Sequence, residues 1–398
     1  LSFGQKTSFL VALFASLVLV AFFLGPFYWF GSNAGWANFL RIGAVLALGL
    51  LVWRDWPLHK PDSFQIVFLL FWVYLALNSI VLSEDAQPLR RLVFILCFVL
   101  MVSRVGLTSV HWRWVIAGVG LLGAGFALFS LANLYRLGML SFEYRSGTVF
   151  SSGVPEIAYF GNTIVAALHY AVCYCAALWM FFSSRTRSAL LGWGGCVLVI
   201  SAYLFLTYAR SGWIAALIVS CVLWVLMIDR QRWRRYVLFA SFMVGGATFF
   251  LFKYSAYEFG VRGLTHRDEI WRSVLAQALP NWFWGKGAGA DIAPVVVNMG
   301  AQTVRNTHSL YLEIFYQFGL LGLLLVVIIL FFALLRLLKL SKEKIGGEIS
   351  VFAFALLSAA SVVMFFEMNT FVGTPNLVWL WFWLPLGVAL SSYGRANA

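Results

Sequence analysis

The sequence predicts an all-α integral membrane protein of about twelve transmembrane helices, and three observations carry that prediction. The 398-residue chain is 62% hydrophobic and only 11% charged, too few charges to cover an aqueous surface of that size. Its apolar residues gather in runs of about twenty, the length that crosses ~30 Å of hydrocarbon. Its 18 Trp and 15 Tyr suit the interfacial belts, where an amphipathic ring sits at headgroup depth.

The spans follow in order. The first apolar run, 7–24, shows no small-residue cleavage site and is expected to stay as a helix rather than leave as a signal peptide. After it come 36–53, 64–82, 89–103, 113–135 and 156–182, then 188–207, 212–228, 236–252, 309–335, 349–368 and 376–392. The run 89–103 is short; without it the count becomes eleven and every later loop changes side. Residues 1–398 read as one polytopic membrane domain with no soluble domain of any size.

The net charge of +13 would suggest nucleic acid in a soluble protein. No basic-aromatic module is present, however, and the Lys and Arg residues sit mostly in short connections, where they set topology. With the amino terminus in the cytoplasm, 16 Lys and Arg fall in inner connections and 5 in short outer ones. Six more lie in one long outer loop, and Arg41 lies within a span. Both termini are therefore expected to be cytoplasmic. Cys97, Cys173, Cys175, Cys196 and Cys221 all fall in apolar segments without a CxxC pair, which argues against disulfide frameworks and zinc.

Two extended aqueous segments remain, 136–155 and the loop 253–306 between the ninth and tenth spans, both on the outer side. Loops this long are usually functional. Within the second, Thr265-His266-Arg267-Asp268 carries a capping pattern and opens a short amphipathic helix that runs to about Leu279, before Pro280. Its apolar face is Ile270, Trp271, Val274 and Ala278, and Arg267 shares that face. A guanidinium so placed needs an anionic partner or must reach water along its stem.

His308 follows Asn306-Thr307, plausible N-cap residues, and lines up with Leu312, Phe315 and Gly319 on one helix face. A helix N-terminus disfavours imidazolium, so a neutral, base-competent ring is expected near pH 7. A plain structural role, capping the helix or bonding a loop, is the competing reading. Arg210 sits in the tight connection Tyr208-Ala209-Arg210-Ser211-Gly212, with Ser211 a candidate N-cap. A guanidinium beside exposed helix N–H groups suits a phosphate. Arg145, in Tyr144-Arg145-Ser146-Gly147, and Arg90-Arg91 at an outer helix entrance are further candidates, whereas Arg262, Arg272, Lys286 and Arg305 read as solvated loop charges. No metal-binding or nucleotide fingerprint appears. Ionisable groups at mid-membrane depth are confined to Arg41, His169 and Glu367, fewer than an ion-coupled transporter carries.

His308-Ser309-x-x-Leu312-x6-Gly319 resembles the His-(Asn/Ser/Gln)-x-x-Leu-x6-Gly pattern of the O-antigen ligase and O-antigen polymerase-like superfamily. Arg210-Ser211-Gly212 is similar to its Ser/Ala-Arg-x-Gly segment, Arg267 with Trp271 to its Arg-x-x-x-Trp element, and Gly285-Lys286-Gly287 to its Gly-x-Gly turn. The order and spacing hold over about residues 145–390. The resemblance implies a GT-C-like glycosyltransferase of the Gram-negative inner membrane with a periplasmic site. Such a ligase moves an undecaprenyl-pyrophosphate-linked polysaccharide onto a hydroxyl of lipid A–core, without metal or cofactor; direct attack by a single nucleophile should invert the anomeric carbon. By motif position His308 would be the general base, and Arg210 and Arg267 would hold the donor pyrophosphate. Arg145 and Arg90 are added to that donor set on their location alone. An O-antigen polymerase using the same donor, and a non-enzymatic transporter of lipid-linked glycans, are the alternatives.

Overall fold

The protein is described here by a computed structural model covering residues 3–28, 33–54, 61–105, 109–138, 140, 157–227, 237, 266–297, 302–343 and 347–391. The predicted span 236–252, apart from Val237, and Arg145 lie outside the described residues.

Eight helices come first: α1 (Phe3–Leu24), α2 (Asn33–Arg54), α3 (Ser63–Leu82), α4 (Gln87–Val105), α5 (Ser109–Arg136), α6 (Thr163–Ser183), α7 (Arg187–Leu206) and α8 (Arg210–Met227). A short helix α9 (Arg267–Ala278) and a two-stranded antiparallel ribbon, β1 (Val295–Val297) and β2 (Gln302–Val304), precede α10 (Leu310–Leu340) and α11 (Gly347–Val363). The last helix, α12 (Trp379–Ala389), starts with a π-turn over Trp379–Trp383. Among the described residues, seven helices are long and apolar enough to cross a membrane. Three apolar helices are shorter: Leu13–Leu24, Gly347–Val363 and Trp379–Ala389. The short run 89–103 is a single helix, α4, packed on α2 and α12.

Two expected boundaries move for local reasons. The span expected from 156 starts at Thr163, because Asn162 caps the helix by accepting the Ile164 N–H at 2.8 Å. The span expected to end at 368 stops at Val363. There the Met364 carbonyl accepts the Leu310 N–H at 2.9 Å, tying the end of α11 to the start of α10. Glu367 therefore lies beyond the helix rather than at mid-depth. The β ribbon was not expected, since a run of three valines is too short to signal a strand.

The centre of the bundle is α6, buried from Ala166 to Trp179 on every face, as an all-round apolar helix must be, with α5, α7, α8 and α11 around it. At one end, Arg336 of α10 donates to Asp62 Oδ2 at 2.6 Å, and Gln65 donates to the Leu390 carbonyl at 2.9 Å. Arg113 and Glu348 meet at the same end, at 3.7 Å. The opposite end carries the end of α3, the starts of α6, α8 and α10, and the long loop; there Ser83 donates to the Ala288 carbonyl at 2.8 Å.

Candidate functional site

The loop reaches the bundle through a broken helix. Inside α10, Gly319 takes φ 68° and ψ −171°, a conformation essentially restricted to glycine. The break frees backbone groups that lipid cannot satisfy. The segment Trp282–Gly287 satisfies them: Lys286 and Gly287 N–H groups donate to the Tyr316 and Gln317 carbonyls at 3.0 and 2.9 Å. In return, Leu320 and Leu321 N–H groups donate to the Trp282 and Phe283 carbonyls at 2.8 and 3.3 Å. Tyr74 of α3 donates to the remaining Phe318 carbonyl at 2.6 Å, and Asn78 to the Trp284 carbonyl at 2.9 Å. A side chain at Gly319 would run into the Phe283 carbonyl, and one at Gly285 into the Gln317 carbonyl. The two glycine elements of the motif are thus the two faces of one backbone contact. Lys286, expected as a solvated charge, instead lies over the Tyr316 ring at 4.9 Å.

This docking orients α9. Its buried face, Ile270, Val274 and Ala278, forms a small core with Ile292, Val295, Val297 and Tyr316, with Trp271 packed against it, as the apolar pattern predicts. The start of α9 differs from expectation. Its N-cap is His266 in a left-handed conformation (φ 59°), sharing a hydrogen bond through Nδ1 with Glu269 Oε1 at 2.9 Å. Thr265 lies outside the described residues.

His308 does not belong to the helix face it was assigned to. Ser309 is the N-cap of α10, and His308 precedes it at φ 48°. Both neighbours are pinned. The buried Thr307 hydroxyl donates to the Ser309 carbonyl at 2.6 Å, and its carbonyl accepts the Trp271 indole N–H at 3.0 Å. The left-handed conformation costs a non-glycine residue about 1–2 kcal/mol, which these bonds offset. The half-buried imidazole is held below its ordinary pKa of 6.5, first by burial and then by the nearby Arg267 guanidinium. The shift has the direction expected at a helix terminus, but its causes here are burial and Arg267.

Arg267 has the anionic partner its position requires. Its Nη2 donates to Glu367 Oε1 of the turn after α11, with the two side chains only 14% and 9% exposed. Glu367 was legible in the sequence only as a stray charge. Glu313, buried in the first turn of α10, also escaped notice. Its carboxylate accepts the Thr370 and Phe371 N–H groups at 2.9 and 3.1 Å and so fixes the turn that follows Glu367.

Arg210 is the first residue of α8, so Ser211 falls inside the helix and does not cap it. Gly212 lets α8 approach α6, since a Cβ there would lie 2.6 Å from that of Ala167. The half-buried Arg210 therefore stands at the same end of the bundle as His308, on a helix packed along α11. Arg90 is exposed in the first turn of α4, beside Arg91. Among the described residues no three His, Cys, Asp or Glu side chains gather where they could hold a metal ion.

The class the fold defines is a multi-pass helical membrane protein, with an imidazole and a paired guanidinium at one end of its bundle. Residues 194–327 match the O-antigen ligase family model, a stretch that contains Arg210, Arg267, the Gly285–Gly287 turn, His308 and Gly319. The match supports lipid-linked glycan transfer in general. No curated protein matches the chain.

Proposed function

We propose that the protein is an O-antigen ligase that transfers an undecaprenyl-pyrophosphate-linked glycan to a hydroxyl of lipid A–core at the periplasmic side of a Gram-negative inner membrane. The observation that carries the reading is the half-buried His308 held beside Arg267, within the matched segment. In this reading His308 takes the proton of the acceptor hydroxyl as its oxygen attacks the anomeric carbon, a contribution of roughly 10²–10⁴-fold. The bond from that carbon to the pyrophosphate oxygen breaks, the lipid pyrophosphate leaves with the electron pair, and a single displacement inverts the carbon. Arg267 and Arg210 stabilise the charge growing on the leaving group more than the charge present at the start, which lowers the barrier. Arg145 would extend this cationic set. No step calls for a metal.

The test is acceptor swapping with the purified protein in excess chelator. Lipid A–core, a second lipid-linked glycan and a pilin-type protein are offered separately with the same donor. Transfer to lipid A–core alone, lost in His308→Ala while donor binding persists, is the expected result. Transfer to the second lipid-linked glycan would make the protein a polymerase, and donor movement without transfer would make it a transporter.

A further inference from the structure

A second group of cations lies away from His308. Arg41 of α2 sits over the Phe94 ring of α4 at 5.6 Å and lies within Coulombic range of Arg90 and Arg91, one turn earlier on α4. Arg41 donates to Asn38 Oδ1 at 3.0 Å, and Arg91 to Gln87 Oε1 at 3.2 Å, both neutral acceptors. Among the described residues no carboxylate pairs with any of the three; Asp85, in the preceding turn, accepts the Gln87 N–H at 2.8 Å. Three guanidiniums with no carboxylate partner among the described residues repel one another, and an anion that binds all three relieves that repulsion.

The surroundings specify what kind of anion. The cluster stands at the same end of the bundle as His308, where topology calls for few positive charges. On the bilayer side it is flanked by exposed Ile42, Leu46 and Val93, a lipid-facing surface. Guanidiniums above an apolar wall match a phosphate carried on a lipid, with the fork of each arginine fitting its oxygens. The elements also differ from those of the His308 site: α2 packs on α1 and α4, whereas α9 packs on α10 and β1. The two are linked through the 285–289 turn. Ser83 bonds Ala288, and a Cβ on Gly289 would lie 3.0 Å from Pro88 of α4.

We propose that Arg41, Arg90 and Arg91 form a second lipid-phosphate site, which anchors the acceptor glycolipid while its hydroxyl reaches His308. The assignment rests on the transfer reading above, because a reaction between two membrane-anchored substrates needs a hold on each. It places Arg90 with the acceptor rather than with the donor pyrophosphate.

Native mass spectrometry of the full chain in detergent tests it with four probes: a bis-phosphorylated glucosamine-disaccharide glycolipid, its dephosphorylated form, polyprenyl pyrophosphate and phosphatidylglycerol. The wild type should retain the phosphorylated glycolipid at least tenfold better than the dephosphorylated one. The double variant R90Q/R91Q should lose that preference, R90K/R91K should keep most of it, and polyprenyl pyrophosphate should bind all three proteins alike. Equal retention of the phosphorylated glycolipid by wild type and R90Q/R91Q overturns the proposal, as does a loss that falls on polyprenyl pyrophosphate or phosphatidylglycerol instead. A parallel transfer assay separates the two readings. Phosphate-dependent binding without any transfer removes the ligase assignment and leaves the site; transfer with unaltered binding in R90Q/R91Q removes the site alone.

Discussion

Replacing Gly319 by alanine tests whether the broken helix, rather than the histidine alone, builds the site. The residue sits where φ 68° and ψ −171° exclude a side chain, and its missing Cβ is where the Phe283 carbonyl passes. A methyl group there collides with the Phe283 carbonyl and expels Trp282–Gly287. Four backbone hydrogen bonds between the loop and α10 are lost, at a net value of about 1 kcal/mol each, so docking weakens by about 4 kcal/mol. That corresponds to about a thousandfold increase in the open population. Hydrogen–deuterium exchange in lipid nanodiscs reads it directly: the Lys286, Gly287 and Leu320 amides should exchange about a thousandfold faster. Peptides around Asp62 and Arg336, at the other end of the bundle, should not change. Transfer should fall with the loop, because α9 and its Arg267 are positioned by the same docking. Wild-type protection at those three amides in Gly319→Ala would refute the reasoning.

Three further outcomes follow from the site. Burial and Arg267 both disfavour the His308 imidazolium, so the acid limb of kcat/KM should lie below pH 6.5, with activity lost as pH falls through it. Arg267→Gln removes one of those two causes, and the limb of the residual activity should move to higher pH; an unmoved or lower limb contradicts the assignment. Glu367→Gln leaves the mostly buried guanidinium of Arg267 without its counterion, at a cost of about 3 kcal/mol, and thermal unfolding in detergent should show a lower midpoint than wild type. Arg210→Lys keeps the charge but loses the planar fork, so transfer should drop by at least tenfold with normal membrane insertion; full activity would reduce Arg210 to a topological anchor.

What the sequence made legible is what local composition alone determines. Eleven of the twelve predicted spans overlap described helices, and seven described helices are long and apolar enough to cross a membrane, because lipid rewards apolar length whatever the neighbours are. The buried face of α9 was equally readable, since Ile270, Val274 and Ala278 repeat at helical spacing. Positions set by distant partners were not readable. The run Asn306-Thr307-His308-Ser309 offers three capping side chains, and nothing local selects Ser309. The choice follows from Trp271 holding Thr307 and from Met364 receiving the Leu310 N–H. His308 thereby leaves the helix that its spacing had assigned it to.

The same cause explains why the charges were harder to place than the apolar spans. Arg267 was recognised as needing an anion, but Glu367 sits 100 residues later, at the end of an apolar run that reads as membrane. Only the stop of α11 at Val363 brings it out to the loop end of the bundle. That stop is also what lets Met364 anchor the start of α10, so one helix ending places both Glu367 and the turn that carries His308. A bundle in lipid cannot solvate a stray guanidinium or an unpaired backbone group at depth. Each polar element of the site is therefore paid for by a partner from elsewhere in the chain: Glu367 for Arg267, Trp271 for the Thr307 carbonyl, and Trp282–Gly287 for the break at Gly319. The site can hold the His308 ring beside a cation because those pairings already exist before any substrate arrives.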